Sequence, residues 1–203
     1  VTTVVERREA DAGLWTVANL ITIARLGCLP VFLWLLFGRD DRIAAAALLA
    51  GLGATDWVDG FVARRLHQVS AIGKVLDPTA DRILFIVGVG GIIIDGSAPL
   101  WFSIMVVARE AVVGIAMVVF TLFGMKRFDV TYLGKCATFA LMFAFPIFLL
   151  RAGVSEAKTE YGIAAWICAW PGLVLSYITA VLYIPQIRRA LREGRAERVS
   201  QRA

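Results

Sequence analysis

Six apolar runs constrain this chain more than any other feature: residues 19–37, 43–63, 74–94, 100–123, 130–150 and 162–184. About 20 apolar residues in a helix cross the ~30 Å hydrocarbon layer of a bilayer. Inside that layer each backbone N–H and C=O has to be satisfied within its own segment, which leaves the helix for runs of this length. With 59% hydrophobic residues over 203 positions and a mean hydropathy of +0.75, the chain is expected to be an all-α, polytopic integral membrane protein with six transmembrane helices. A single domain over 1–203 is expected, with a polar lead at 1–13 and a basic tail at 185–203. No cleavable signal peptide is expected, because no small-residue cleavage site closes the first run. Cys28, Cys136 and Cys168 are far apart and suggest neither a disulfide framework nor a zinc site.

Charge orients these helices. Arg7, Arg8, Arg64, Arg65, Lys74, Lys126 and Arg127 fall on one side with the tail arginines 188, 189, 192, 195, 198 and 202. Only Arg39, Arg42, Arg151 and Lys158 fall on the other. The positive-inside rule then places both termini, and the turn after the second run, on the cytoplasmic face of the cell membrane. The net charge of +5 is carried largely by a tail that follows a span directly, which points to anionic lipid and away from nucleic acid.

Against this apolar background stand four carboxylates in twenty-six residues, Asp56, Asp59, Asp77 and Asp81. An ionised Asp near the bilayer centre costs about 2.5–3.5 kcal/mol on insertion scales, so four of them require a compensating partner. Asp56 and Asp59 are three apart and Asp77 and Asp81 four apart, so on helices each pair projects from one face. The polar stretch between them reads as a turn between antiparallel helices. Two pairs of hard oxygen donors suit two Mg2+ or Mn2+ ions, which stabilise attacking and leaving oxygens in phosphoryl displacement. On the first run Asn19, Thr22 and Arg25 form a polar stripe, either interfacial with Arg25 snorkelling or a wall of the site. Arg109 and Glu110 read either as a mutually compensating pair or as groups facing the site.

The spacing Asp56-x2-Asp59-Gly60-x2-Ala63-Arg64-x8-Gly73-x3-Asp77-x3-Asp81 resembles, at all eight positions, the signature of the CDP-alcohol phosphotransferase family of membrane enzymes. The resemblance implies a CDP-linked lipid donor, CMP as leaving group and a site on the cytosolic side. By position it makes Asp56, Asp59, Asp77 and Asp81 metal ligands, with Asp81 also the general base for the acceptor hydroxyl. It makes Gly60, Ala63 and Gly73 room for the cytidine nucleotide, and Arg64 a phosphate contact. Lys135, in a Gly-Lys pair also present in similar enzymes, joins Arg109 and Arg25 as a weaker contact for the acceptor or a phosphate. His67 is expected to be a solvated turn residue, since Asp81 already fills the role of base. Relatives are typically homodimers, so a homodimer is expected.

The wording TDWVDGFVARR and LDPTADR is most similar to the glycerol branch, whose donor is CDP-diacylglycerol and whose acceptors are glycerol 3-phosphate or phosphatidylglycerol. Gly134-Lys135-Cys136 lacks the second cation common in phosphatidylglycerophosphate synthases. Phe139, Phe143 and Phe145 follow, which favours an acceptor with acyl chains and a cardiolipin synthase, with glycerol 3-phosphate as the alternative. The rival reading, an ion-coupled transporter, predicts acids spread along a path through the bilayer. Here the four Asp cluster at one depth, and the last two runs carry no acid to continue a path.

Overall fold

The computed structural model describes the backbone of residues 17–66, 73–123 and 131–200, and the side chains of 20–55, 80–120, 123 and 131–190. Six helices follow one another among the described residues: α1 (Val17–Leu33), α2 (Arg42–Leu66), α3 (Gly73–Asp95), α4 (Leu100–Leu122), α5 (Tyr132–Gly153) and α6 (Lys158–Ser200). No strand occurs among the described residues. Each helix coincides with one of the six apolar runs.

Among the described residues, four stretches are long and apolar enough to cross a membrane: Leu20–Gly38, Leu100–Phe120, Tyr132–Gly153 and Lys158–Ala190. Large apolar side chains on them face outward, among them Trp34, Val112, Ile115, Phe139, Ile167 and Val181. A water-soluble monomer rarely leaves apolar surface of this extent uncovered, so lipid is the solvent of these faces. The chain is a multi-pass membrane protein.

The chain forms two compact units. The first comprises Val1–Ser97 with Pro146–Tyr161. In it α1 packs against α2 and α3. Leu29, Phe32 and Leu36 from the first segment, Ala45, Ala46 and Leu52 from α2, and Val89 and Ile92 from α3 are buried. Gly91 brings α3 close to α1: a Cβ there would stand 3.2 Å from Phe32 Cε1 and 3.4 Å from Leu36 Cδ2.

After Leu33 the helix widens into a π-helical turn, Trp34–Gly38, closed by the Arg39 N–H donating to the Trp34 carbonyl at 3.0 Å. The wide turn lays the Trp34 ring against Gly38, where a Cβ would lie 2.8 Å from Trp34 Cδ1. Arg39 sits 5.2 Å from the centre of the same ring. Asp41 then starts α2, its Oδ1 accepting from the Ala44 N–H at 2.9 Å as an N-cap does.

At this end of the unit Arg42 reaches across to Asp95, the last residue of α3. Nε donates to Oδ2 and Nη2 to Oδ1, both at 3.0 Å, while Nη1 lies 2.8 Å from Asp40 Oδ1. The Ser97 hydroxyl also donates to Asp95. Gly96, with φ +72°, allows the chain to turn back between those two residues. The end of α5 closes over the pair, since a Cβ at Gly153 would stand 2.9 Å from Arg42 Cβ and 3.1 Å from the Ile43 nitrogen.

The second unit comprises Ala98–Phe145 with Gly162–Ala203. Here α4 and α6 run parallel, tied by Arg109 Nε donating to the Ser176 carbonyl at 3.1 Å and Tyr177 Oη donating to the Met105 carbonyl at 3.0 Å. Trp101 stacks on Trp166 with centroids 5.5 Å apart and meets Trp170 at 5.9 Å. Phe102 joins this cluster to Phe145 of α5. Buried hydroxyls of Ser176 and Thr179 donate back to Leu173 and Leu175, so no polar group of that pair is stranded in the core.

One boundary departs from the sequence expectation. The sixth helix was expected over 162–184, with a tail beginning at Pro185, yet α6 runs unbroken from Lys158 to Ser200 through Pro171 and Pro185. A proline removes one N–H donor and crowds the carbonyl four residues before it, but the turns on either side keep their own ladder. Helices in membranes tolerate this readily.

Candidate active site

The polar stripe of α1 turns inward. Thr22 and Arg25 are both buried, whereas a snorkelling arginine would carry its head to the interface. Arg25 Nη1 donates to Asp81 Oδ1 at 3.3 Å, across fifty-six residues of sequence. The two partners are unequal: the Arg25 side chain is 4% exposed and that of Asp81 55%. Breaking a fully buried ion pair costs about 3–5 kcal/mol, but water reaches Asp81 and screens this one, so its contribution falls well below that. The Asp81 carboxylate thus stands at the edge of the packed core, where solvent reaches it while Arg25 holds it from inside.

Asp56, Asp59, Gly60, Ala63 and Arg64 lie in the second half of α2, and Gly73 and Asp77 in the first turns of α3. The two carboxylate pairs therefore stand on consecutive helices of one unit, joined by a short segment. The side chains of these seven residues, and His67 in the segment between the helices, lie outside the described residues. Of the four carboxylates, Asp81 is the one whose surroundings are described. Among the described residues no three carboxylate, imidazole or thiol groups gather.

The remaining candidates belong to the second unit. Arg109 is buried, and its guanidinium is engaged by the adjacent Glu110 carboxylate and the Ser176 carbonyl. Lys135, one turn into α5, is exposed. Phe139 and Phe143 follow it at four-residue steps and are also exposed, their rings meeting edge to face with centroids 4.9 Å apart. A cation followed by an aromatic strip thus occupies one face of α5.

From the sequence Arg42 stood out only as a positive charge on one side of the membrane, and Asp95 not at all. The signal that could have singled them out is their separation from the motif: Arg42 precedes Asp56 by fourteen residues, and Asp95 follows Asp81 by the same number.

Residues 15–178 match the family model described as CDP-alcohol phosphatidyltransferase. The chain is 36% identical over 192 residues to a Streptomyces coelicolor protein named cardiolipin synthase (CMP-forming), with 92% of this chain and 89% of that protein covered. A putative cardiolipin synthase of Mycobacterium tuberculosis is 32% identical over 90% of each chain. A Bacillus subtilis CDP-diacylglycerol–glycerol-3-phosphate 3-phosphatidyltransferase is 32% identical over 68% of this chain and 78% of its own. The match covers both compact units and contains every residue of the aspartate motif, and by it the chain belongs to the CDP-alcohol phosphatidyltransferase family of phospholipid-synthesising enzymes.

Proposed function

We propose that the protein transfers the phosphatidyl group of CDP-diacylglycerol to the hydroxyl of phosphatidylglycerol, releasing CMP and forming cardiolipin. The observation that carries the acceptor is the face of α5 on which exposed Lys135 is followed by exposed Phe139 and Phe143. One cation suits the single phosphate of a phosphodiester, and an aromatic strip open to lipid suits its acyl chains. A small dianionic acceptor would call for more positive charge there. The relatives named as cardiolipin synthases support the same reading.

Asp56, Asp59, Asp77 and Asp81 supply oxygen donors alone, the set that suits Mg2+ or Mn2+ over softer metals. The open side of Asp81 fits a ligand to such an ion. Two bound ions would neutralise charge on the pyrophosphate and on the departing CMP. The residues of the chain do the rest. Asp81 accepts the proton of the acceptor hydroxyl. The freed oxygen bonds to the phosphorus that carries diacylglycerol, the bridging P–O bond to CMP breaks, and CMP departs with the electron pair. Arg25, beside Asp81, holds the carboxylate in place and is near enough to meet a phosphate oxygen. Gly60, Ala63 and Gly73 leave room for the cytidine nucleotide and Arg64 holds its phosphate. Lys135 is the exposed cation available to an acceptor or a phosphate, whereas Arg109 is held by Glu110 and the Ser176 carbonyl.

On this reading six helices span the cell membrane, both termini and the site face the cytoplasm, and the enzyme works as a homodimer. The similarity to the Bacillus subtilis enzyme favours a second reading with glycerol 3-phosphate as acceptor. The test is CMP release by purified protein in liposomes with CDP-diacylglycerol and Mg2+ or Mn2+, each acceptor offered alone. Release with phosphatidylglycerol alone upholds the proposal, and release with glycerol 3-phosphate alone replaces it by the second reading.

A further inference from the structure

The ends of α2 and α3 remote from the aspartate motif are locked by a contact that the reaction does not use. Arg42 opens α2 and Asp95 closes α3, and two parallel hydrogen bonds of 3.0 Å join them. The Asp95 side chain is 5% exposed and also receives the Ser97 hydroxyl, so it is close to saturated. Two-pronged pairing of this kind fixes orientation as well as distance, which a lysine or a single contact does not.

The lock recurs as a register along the pair. Leu49 follows Arg42 by seven residues, Gly88 precedes Asp95 by seven, and a Cβ at Gly88 would lie 3.3 Å from Leu49 Cδ1. These two positions are therefore level, about 10 Å along each helix from the lock. Seven further residues along each chain lead to Asp56 and to Asp81. Fourteen residues make nearly four complete turns, so a helical position returns close to the face it began on. Position 59 is seventeen residues from Arg42 and position 77 eighteen from Asp95, a mismatch of one residue.

We propose that Arg42 and Asp95 are positioning residues: their clamp sets the register of α2 against α3, so that the two carboxylate pairs of the motif meet at one level. The inference rests on the metal-site reading given above, and adds a residue pair about 21 Å away to what that site needs. A slip of one helical turn, about 5.4 Å, would separate donors that must share an ion. Gly153 serves the same end, because it lets α5 close over Arg42 without displacing it.

The test needs a readout of register and one of metal. In the full-length protein with Cys28, Cys136 and Cys168 changed to Ser, the pair Leu49→Cys with Gly88→Cys reads the level register by disulfide formation. Leu49→Cys with Leu84→Cys reads a slip of about one turn. Binding of Mn2+ alone, followed by its EPR signal without substrates in the protein carrying its native Leu49 and Gly88, reads the carboxylates. With the clamp intact the level pair should cross-link and the slipped pair should not. Arg42→Gln, Asp95→Asn and their double variant should each lose that preference and weaken Mn2+ binding about tenfold, the double no more than either single. Arg42→Lys, which keeps charge and folding but loses the fork, should fall between. In turnover the loss should appear in kcat with the KM for CDP-diacylglycerol little changed. Unchanged cross-linking preference in the single variants overturns the clamp. Lost preference with unchanged Mn2+ binding overturns its link to the carboxylates. Intact register in a wild type that binds no Mn2+ overturns the metal-site reading itself, and is told apart from the other outcomes by the cross-link.

Discussion

The two ends of α3 hold an aspartate against an arginine in opposite ways. Asp81 meets Arg25 through one contact of 3.3 Å and keeps 55% of its side chain exposed, while the buried partner is the arginine. Asp95 meets Arg42 through two contacts of 3.0 Å, takes a serine hydroxyl as well, and is itself the buried partner at 5%. One carboxylate is open to water and the other is shut away from it. On the proposed mechanism the first exchanges partners during turnover, and the second holds its partner throughout.

The same chemical change at each end should therefore give different losses. Asp81→Asn removes the group assigned as base, and CMP release should drop about a thousandfold with the protein still folded. Retained full activity would end the assignment of that base. Asp95→Asn touches no substrate, and its kcat should fall about tenfold to a hundredfold, the range expected when a site is shifted by around an ångström from afar. A loss equal to that of Asp81→Asn would erase the contrast.

Two alanine substitutions sharpen it further by stability alone. Gly153→Ala places a methyl 2.9 Å from Arg42 Cβ and 3.1 Å from the Ile43 backbone nitrogen, neither of which can step aside. Thermal unfolding in detergent should show a destabilisation of about 1–3 kcal/mol, with a loss of kcat like that of Asp95→Asn. Gly91→Ala, also in the first unit, meets side-chain tips of Phe32 and Leu36 at 3.2 and 3.4 Å. Those rotate, so the effect should stay below about 1 kcal/mol, and turnover should hardly change. Equal destabilisation by the two would mean that the clamp end of the bundle is no more rigid than its middle.

The six helices were legible because an apolar run of membrane length admits little else, and the observed ends of the first five fall close to those expected from composition. The carboxylate pairs were read from short helical spacing, which is periodic, but apart from Asp81 their side chains lie outside the described residues; family membership removes the transporter alternative. What spacing cannot carry is a contact between distant segments. Thr22 and Arg25 announced a polar stripe, but only the packing of α1 on α3 turns that stripe inward and gives Arg25 its carboxylate. Arg109 and Glu110, neighbours in sequence, were recognisable as a pair, whereas the Ser176 carbonyl on another helix was not. Pro185 pointed to a break that the backbone does not make, since one missing donor does not outweigh the continuing ladder around it.

That unbroken last helix has a geometric consequence. Forty-three residues rise about 64 Å, roughly twice the hydrocarbon thickness of a bilayer. A helix of this length cannot be contained in the hydrocarbon layer, so part of it meets headgroups or water.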